Sequence, residues 1–396
     1  MRVSVRSPAR VALDPDSQHV ATALLLLVAG LMALGVVLVY SSTSVGIALR
    51  AQDATLFLRR QLLWVLLASC TFVLARTTEL ETLRRHALPI LLCAAGLLLA
   101  VLVPGVGRKI GGARRWIRLG PLNGQPSEFA KLALVVFVAA WASAQDGRLR
   151  TVRGILPGLG AVALVAGLVV VEPDMGTAIL LSLVATVMLV VAGVRVTHLA
   201  LLGAPCAGLG LLFALAKLDY IWRRISAFLN PAANADGVGY QTRQAVIALG
   251  SGGPFGVGLG ASQQKLLFLP DVHTDFIFAL VGEELGFVGT VAVVGAFAAI
   301  AVYGMRAADR ARDRFGFLLA VGLVTLLGLQ SILNMAVATA SVPPKGIALP
   351  FLSFGGSSLL MAATAAGILT RIAAEGSAPR PLLDRSPAEE DRAHDD

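Results

Sequence analysis

The stretch "VATALLLLVAGLMALGVVLVY", residues 20–40, contains no charged side chain, and "GTAILLSLVATVMLVVAGV", residues 176–194, has the same character. About 20 apolar residues form a helix that spans the hydrocarbon core of a bilayer. The whole chain is 56% hydrophobic and 14% charged, with a mean hydropathy of +0.78, whereas soluble domains are about 25% charged. Because residues 20–40 follow a polar tail and no small-residue cleavage site follows them, they predict a retained helix and not a signal peptide. The composition therefore indicates a membrane protein.

Further apolar runs predict an all-α polytopic membrane protein with about ten transmembrane helices. The predicted spans are 20–40, 59–75, 87–103, 128–144, 154–171, 176–194, 197–216, 276–304, 315–341 and 357–372. An even number of spans places both termini on one side, and the richer supply of lysine and arginine there indicates the cytoplasm. Residues 217–275 form one long extracytoplasmic loop between helices 7 and 8, and we expect a short helix within it at 240–250.

The sequence predicts one folded unit with two tails. Residues 1–18 form a cytoplasmic N-terminal tail, residues 19–374 a single transmembrane domain, and residues 375–396 a disordered cytoplasmic tail. Cys70, Cys93 and Cys206 lie within apolar runs, so we interpret them as small core residues and not as a disulfide framework. The net charge is +9, but the sequence contains no soluble domain that could present a basic face to nucleic acid. This favours anionic lipid over nucleic acid as a partner.

The stretch "FLPDVHTDFIFALVGEELGF", residues 268–287, places ionisable groups beside an apolar span. They are Asp271, His273, Asp275, Glu283 and Glu284. We expect Thr274 or Asp275 to begin the helix, where the helix dipole favours an ionised carboxylate. Such a carboxylate suits a divalent cation or a developing positive charge better than proton abstraction. The acidic groups are predicted to line an outward-facing polar pocket.

Two other stretches place charge near the membrane. In "QPSEFAKLAL", residues 125–134, Glu128 and Lys131 share one helix face, as a structural ion pair or as part of a polar cavity for a substrate. In "ARRWIRLG", residues 113–120, arginines surround Trp116. This second cluster fits a lipid-linked phosphate and a sugar face, or an anchor at the membrane interface.

Glycine-containing segments supply three further predictions. In "PPKGIALPFLSFGGSSLL", residues 343–360, the glycines and serines at 355–358 form an anion-binding nest or cap a helix. The stretch "GSGGPFGVGLG", residues 250–260, matches no nucleotide-binding motif and predicts tight turns that approach a ligand or the membrane surface. Asp174 in "VEPDMGTAIL" is expected to cap the following helix.

Together these stretches resemble the SEDS family (shape, elongation, division and sporulation), the bacterial membrane peptidoglycan polymerases that include FtsW and RodA. The resemblance covers about residues 20–374 and is carried by "RRWIRLGPLNGQPSEFAKLAL", "EPDMGTA", "GVGYQTRQAVIALGSGGPFGVGLGASQQKLLFLPDVHTDFIFALVGEELGFVG" and "PPKGIALPFLSFGGSSL". It implies a glycosyltransferase that joins lipid II units outside the cytoplasmic membrane, with undecaprenyl diphosphate as the leaving group. The segment "GASQQKL", residues 260–266, is closer to the FtsW division branch than to RodA.

The resemblance also implies roles for individual residues. Asp275 falls on the essential aspartate of the family and is the candidate ligand for a divalent cation, Mg²⁺ or Mn²⁺. The substrate-binding residues that it implies are Arg114, Trp116, Glu128, Lys131, Lys265, His273, Thr274, Glu284, Ser353, Gly355, Gly356 and Ser357. No nucleotide or organic cofactor is expected. Phe354 stands where tyrosine is common in the family, so a hydroxyl is lost there.

The implied partners are lipid II, the growing lipid-linked glycan strand, a class B penicillin-binding protein (a transpeptidase), other divisome proteins and membrane lipid. The implied location is the bacterial cytoplasmic membrane, at the division septum. Three alternatives stay open: an elongation-type polymerase like RodA, a lipid II flippase, and a scaffold without catalytic activity. Polar groups that cluster at the outer end favour a polymerase over a flippase, which needs polar groups along the whole path.

Overall fold

A computed structural model describes residues 15–48, 56–110, 113–120, 122–145, 147–201, 203, 226, 228, 238–264, 269 and 272–376. The helices are α1 (Pro15–Ala48), α2 (Leu56–Thr77), α3 (Leu80–Arg85), α4 (Ala87–Leu102), α5 (Pro126–Ser143), α6 (Val152–Val171), α7 (Met175–Val191), α8 (Val238–Ser251), α9 (Ile277–Asp309), α10 (Arg314–Ala338) and α11 (Gly356–Glu375). The strands are β1 (Gly107–Ile110), β2 (Ala113–Leu119) and β3 (Leu122–Gly124), and a 3₁₀ turn covers Arg148–Arg150.

The polytopic helical architecture is confirmed. Each predicted span except 197–216, most of which lies outside the described residues, corresponds to a helix. In the described part of the chain, seven helices are long and apolar enough to cross a membrane, and α4 and α7 are apolar but shorter. The helix expected at 240–250 is α8, which packs against α9 and α10. Helix α1 begins at Pro15, within the predicted N-terminal tail, while 1–14 and 377–396 lie outside the described residues.

The described helices divide into a buried centre and a lipid-facing periphery. The apolar windows of α5, α10 and α11 are 72%, 67% and 67% buried, whereas those of α2, α6 and α9 are 22%, 28% and 28% buried. Large side chains on the periphery, such as Leu26 and Leu74, are exposed. Because a soluble protein rarely exposes so much apolar surface, these faces are the ones that contact lipid.

The cysteine interpretation is wrong at two positions. Cys70 on α2 and Cys93 on α4 are exposed on the outside of the bundle, and Cys206 lies outside the described residues. Apolar character does not separate the two environments, because lipid chains are as apolar as the interior of a helical bundle.

A three-stranded antiparallel sheet at residues 107–124 departs from the all-α prediction. Lys109 pairs with Arg114 and Arg108 with Trp116, and a bulge lies between the two pairs. Paired residues of neighbouring strands share a face, and Arg108 and Lys109 are adjacent in β1. Their partners Trp116 and Arg114 therefore lie on opposite faces of the sheet, and Arg115 is the extra residue of the bulge. The sheet thus separates arginines that the sequence groups together.

Helix α9 is broken at Gly286, whose backbone angles are φ 68° and ψ −163°. The break leaves backbone N–H and C=O groups of α9 without partners inside the helix, and the glycine-rich stretch after α8 forms hydrogen bonds with them. The N–H groups of Phe287 and Val288 donate to the carbonyls of Gly253 and Pro254 at 2.9 and 3.1 Å, and the carbonyls of Glu283 and Glu284 accept from Val257 and Gly258 at 2.9 and 3.1 Å. The glycines at 250–260 therefore form tight turns that approach the backbone of α9, and the approach to a ligand or the membrane surface stays a prediction.

We expect Gly286→Ala to destabilise the protein strongly. A Cβ at this position would lie 2.2 Å from the Gly256 nitrogen, and the left-handed φ is itself unfavourable for alanine. Gly295→Ala on the same helix is the matched control, because a Cβ there meets no atom within 4 Å. Thermal unfolding in detergent should show a much lower midpoint for Gly286→Ala only. Equal midpoints for the two variants would contradict the role of the break.

Candidate functional site

Residues 272–275 lie at one end of the helical bundle, next to the loop that precedes α11. We call this end, which also carries the β-sheet and the α6–α7 turn, the outer end. The Ser353 hydroxyl donates to the Thr274 carbonyl at 2.6 Å and accepts from the Leu349 N–H at 2.8 Å. The Phe354 N–H donates to the His273 carbonyl at 2.8 Å. Two segments that are far apart in sequence are thus joined through their backbones.

The backbone carbonyl of Asp275 accepts a hydrogen bond from a neighbouring helix, and the Asp275 carboxylate lies beside a glycine. The Asn334 side-chain amide donates to the Asp275 carbonyl at 3.0 Å and to the Ile347 carbonyl at 2.7 Å. A Cβ built on Gly346 would lie 3.0 Å from Asp275 Oδ2, so only glycine leaves the carboxylate undisturbed. The side chain is half-buried.

The prediction that Thr274 or Asp275 begins the helix is wrong. Helix α9 begins at Ile277, and its N-cap residue is Phe276, which makes no side-chain capping bond. Asn334 and Ser353 bind the carbonyls of Asp275 and Thr274, and these contacts hold the two residues in the preceding loop.

Aromatic rings pack beside this loop. His273, Phe57 and Phe354 form a mutual cluster with ring centroids 5.3–5.7 Å apart. Edge-to-face and tilted pairs at this spacing are favourable. Phe354 therefore fixes the position of His273 by packing, and this contact does not need the hydroxyl of a tyrosine.

Glu128 and Lys131 form a buried ion pair, as their shared helix face predicts. The Lys131 ammonium donates to both Glu128 carboxylate oxygens at 2.9 and 2.8 Å and to Gln330 Oε1 at 2.7 Å. The Lys131 side chain is only 3% exposed. An ammonium group has three donors, so all of them are used within the protein. This geometry favours the structural interpretation of the pair.

The same network reaches the loop beside Asp275. The Gln330 amide group donates to the Ala348 carbonyl at 2.9 Å and to the Ser358 hydroxyl at 3.3 Å. Removing one partner from a buried ion pair is strongly destabilising, because the other charge stays buried. The pair on α5 thus supports the loop that contacts Asp275.

The capping prediction for residues 355–358 is wrong, and the anion-binding nest stays a prediction. Helix α11 has Gly355 as its N-cap residue and no side-chain cap, so the serines do not cap it. The Ser357 hydroxyl accepts from the Gln125 N–H at 3.3 Å, and the Ser358 hydroxyl binds Gln330. A Cβ on Gly356 would lie 1.8 Å from the Trp64 ring, so α2 covers this glycine. These residues join helices, and the nest is not open at Gly356.

Glu283 and Glu284 do not line an open pocket, because their exposed fractions are only 2% and 1%. Glu283 accepts from the Ser262 hydroxyl and from the Gln263 N–H, the latter at 2.8 Å. Glu284 accepts from the Ser41 hydroxyl on α1. The donors that bind these carboxylates come from segments distant in sequence, so the local sequence around the two glutamates does not indicate them.

Arg115 clamps the turn between α6 and α7. Its guanidinium donates to the carbonyls of Glu172, at 2.9 Å, and Pro173. Arg114, the preceding residue of β2, is exposed, and Trp116 is partly exposed. Asp174 caps α7 as predicted, since it accepts from the Thr177 N–H at 3.2 Å, and Gln125 donates to it at 3.4 Å.

Glu172, at the end of α6, is a buried acid. Its exposed fraction is 0%, and neither carboxylate oxygen has a hydrogen-bond partner among the described residues. Burial, reinforced by the negative charge of Asp174 and opposed by Arg115, raises the pKa of Glu172 to about 8. The carboxyl is therefore mostly protonated at neutral pH.

The structure brings His273, Thr274, Asp275 and Ser353 together, and links Glu128 and Lys131 to them through Gln330. Arg114 and Trp116 lie on the hairpin, and Glu284 is buried against α1. Lys265 and Asp271 lie outside the described residues. Sequence reasoning grouped Arg115 with the arginines around Trp116, as a phosphate contact or an interfacial anchor, and it missed Gln330, Asn334 and Gly346. Amides within an apolar span are a signal for Gln330 and Asn334.

The sequence profile of the FtsW/RodA/SpoVE family of cell cycle proteins matches residues 21–378. The chain belongs to this family. Among relatives within the family, the probable peptidoglycan glycosyltransferase FtsW of Trichlorobacter lovleyi is 42% identical over 89% of this chain and 92% of its own length. Stage V sporulation protein E of Bacillus subtilis is 37% identical over 86% and 93%, respectively.

Solved structures agree with the family assignment. A chain from a peptidoglycan synthase complex that coordinates polymerization and crosslinking has a TM-score of 0.73 and 28% identity, over 92% of this chain and 99% of that chain. The rod shape determining protein RodA of Thermus thermophilus has a TM-score of 0.64 and 30% identity, over 94% and 100%. The resemblance drawn from the motifs is confirmed, and the fold is that of the FtsW/RodA/SpoVE family.

We expect Glu172→Gln to remove a loss of stability that the wild type undergoes as the pH rises from about 4.5 to about 8. The folded wild type keeps the Glu172 proton up to about pH 8, while an ordinary glutamate loses it near 4.5. The folded state therefore binds the extra proton between these values, and this contribution to stability decreases as pH rises through that interval. Glutamine does not titrate, so the variant should gain stability relative to wild type from pH 5 to pH 9.

Thermal unfolding at several pH values in detergent measures this difference. Glu79→Gln is the control, because Glu79 is exposed and makes no capping bond to α3. Parallel pH curves for wild type and Glu172→Gln would show that Glu172 ionises normally.

Proposed function

We propose that the protein is a peptidoglycan glycosyltransferase that polymerises lipid II into glycan strands on the outer face of the cytoplasmic membrane. The observation that carries the proposal is the family match together with Asp275, whose backbone is bound to Asn334 and whose carboxylate packs against Gly346 at the outer end. The probable FtsW glycosyltransferases among the relatives match almost their full length.

In the proposed reaction, the acceptor sugar's 4-hydroxyl oxygen forms a bond to the anomeric carbon of the lipid-linked donor. The bond between that carbon and the diphosphate oxygen breaks, and its electron pair leaves with undecaprenyl diphosphate. Asp275 accepts the hydroxyl proton, or it binds a divalent cation while water takes the proton. Both roles require a carboxylate held beside the acceptor, and the hydrogen bonds to the backbone carbonyls of residues 274 and 275 support a fixed position for this segment.

A divalent cation fits Asp275 only as part of a complex with the substrate. The described residues contain no group of three or more His, Cys, Asp or Glu side chains that could hold a metal ion. Mg²⁺ is commonly held by one or two carboxylates together with substrate phosphates. Asp275 would be the protein ligand, and the ion would supply charge stabilisation for the diphosphate.

The other residues have supporting roles in this proposal. His273 and Thr274 flank Asp275, and Ser353 positions them through the Thr274 carbonyl. Arg114 and Trp116 on the hairpin contact the lipid-linked phosphate and sugar, for which an exposed guanidinium and an indole are suited. Glu128 and Lys131 hold the 345–358 loop through Gln330.

The cellular setting is also a proposal. The FtsW relatives support a role in septal wall synthesis in the cytoplasmic membrane, with residues 19–374 as the transmembrane domain and cytoplasmic tails at both ends. The similar chain in a peptidoglycan synthase complex supports a class B penicillin-binding protein as the transpeptidase partner, within a larger divisome.

We expect Asp275→Ala to abolish polymerisation of lipid II by the purified protein assayed with a class B transpeptidase. The reason is that alanine can neither accept a proton nor bind a cation. Glycan strands separated by gel electrophoresis, with and without Mg²⁺ or Mn²⁺, provide the measurement. Glu79→Ala is the control, because Glu79 is an exposed carboxylate outside the outer-end cluster.

Strands from a folded Asp275→Ala protein would remove the catalytic assignment. No strands from any form, with the partner and both metals present, would favour the flippase or scaffold alternatives. Transport of lipid II into vesicles by the same preparations would then distinguish these two.

We expect Gly346→Ala to lower turnover by roughly tenfold with little loss of stability, since misplacing a catalytic group by about 1 Å costs on the order of a hundredfold. The new methyl group would lie 3.0 Å from Asp275 Oδ2, which is close enough to displace the carboxylate by less than that. Gly250→Ala is the matched control, because a Cβ there meets nothing within 4 Å. Equal turnover of the two variants would show that the Asp275 carboxylate does not need its present position.

A further inference from the structure

An apolar groove lies between α1 and α9, away from the outer-end cluster. Its volume is 620 Å³. Small residues, among them Gly30, Gly289 and Ala292, form its floor, and Leu26 and Leu34 lie along its side. Leu26 is 65% exposed, and a Cβ on Gly30 would meet nothing within 4 Å. In the described part of the chain, no side chain fills this groove.

A second cavity of 740 Å³ lies at the end of the groove where α1 begins and α9 ends. Tyr303 lines both cavities, so the two are adjacent. The second cavity is lined by Arg306, Arg310 and His19, with Asp309 as its acidic residue. The Arg306 guanidinium lies 5.4 Å from the centroid of the Tyr303 ring. An apolar groove thus lies next to a pocket of net positive charge.

The groove extends over part of the thickness of a bilayer. On α1 the lining runs from Ala23 to Leu34, which is about 17 Å of helix and slightly more than half of a hydrocarbon core of about 30 Å. On α9 it continues to Leu285. Because the groove opens onto the surface that faces lipid and ends beside two arginines, an acyl chain with an anionic headgroup fits both parts.

We propose that this surface binds an anionic glycerophospholipid from the membrane leaflet next to Arg306. An acyl chain lies in the groove between α1 and α9, and the headgroup phosphate lies against Arg306 and Arg310. Under the predicted topology this is the cytoplasmic leaflet, where anionic lipid attracts basic residues at the membrane surface. The site lies at the opposite end of α9 from Asp275, and it does not depend on the proposed enzymatic activity.

Native mass spectrometry of the delipidated full-length protein tests the proposal. The protein is titrated with phosphatidylglycerol or with phosphatidylethanolamine of the same acyl chains. Gly30→Leu fills the groove, and Gly295→Leu adds the same side chain to an open position elsewhere on α9. Arg306→Gln removes one headgroup charge, and Arg150→Gln removes an exposed charge that lines neither cavity.

We expect wild type and Gly295→Leu to retain one tight phosphatidylglycerol adduct, and Gly30→Leu to lose it. Arg306→Gln should reduce the preference for phosphatidylglycerol over phosphatidylethanolamine by roughly fivefold, which corresponds to about 1 kcal/mol per arginine. Arg150→Gln should leave the preference unchanged.

Three results would overturn the proposal. They are an equal adduct on Gly30→Leu and Gly295→Leu, equal binding of the two lipids by wild type, and crosslinking of a photoreactive residue at position 26 to another membrane protein instead of lipid.

Discussion

The hydrogen bonds between the glycine-rich stretch after α8 and the break in α9 at Gly286 set the geometry of the outer end. A break in a membrane helix releases N–H and C=O groups, and hydrocarbon offers them no partners. The glycine-rich stretch supplies those partners, because its backbone can approach α9 without intervening side chains. The short upper part of α9, which precedes Gly286, can then take a different direction from the lower part, which follows it. Glu283 and Glu284 lie in this upper part, and their bonds to Ser262 and Ser41 join it to the loop after α8 and to α1.

Two uncharged amides on α10 connect this framework to the candidate catalytic loop. Gln330 and Asn334 lie one helical turn apart, and each side chain binds two other groups or more. An amide offers both donors and an acceptor, so it can join a lysine to a carbonyl or two carbonyls to each other. The ion pair of Glu128 and Lys131 does not contact the segment that contains Asp275 through its own charges. The neutral amides of Gln330 and Asn334 make the hydrogen bonds that link the pair to this segment.

The sequence predicted the helical spans well because their apolar runs are long, and its motif made Asp275 the candidate catalytic residue. It could not separate lipid from protein interior, as Cys70 and Cys93 demonstrate. It also missed the hairpin, because polar residues lie on both faces of β2 and leave no alternating pattern. The positions of Asp275, Glu283 and Glu284 depend on donors distant in sequence, and local propensity contains no information about such contacts.

The contact between Trp64 and Gly356 has a consequence for how the chain can evolve. The indole ring on α2 lies where any side chain on residue 356 would have to be, in the interface where α2 and α11 pack most extensively. A lineage can therefore enlarge residue 356 only if residue 64 becomes smaller. The two positions should covary across distant relatives. A larger residue 356 alone would force the two helices apart, and a smaller residue 64 alone would leave a cavity between them.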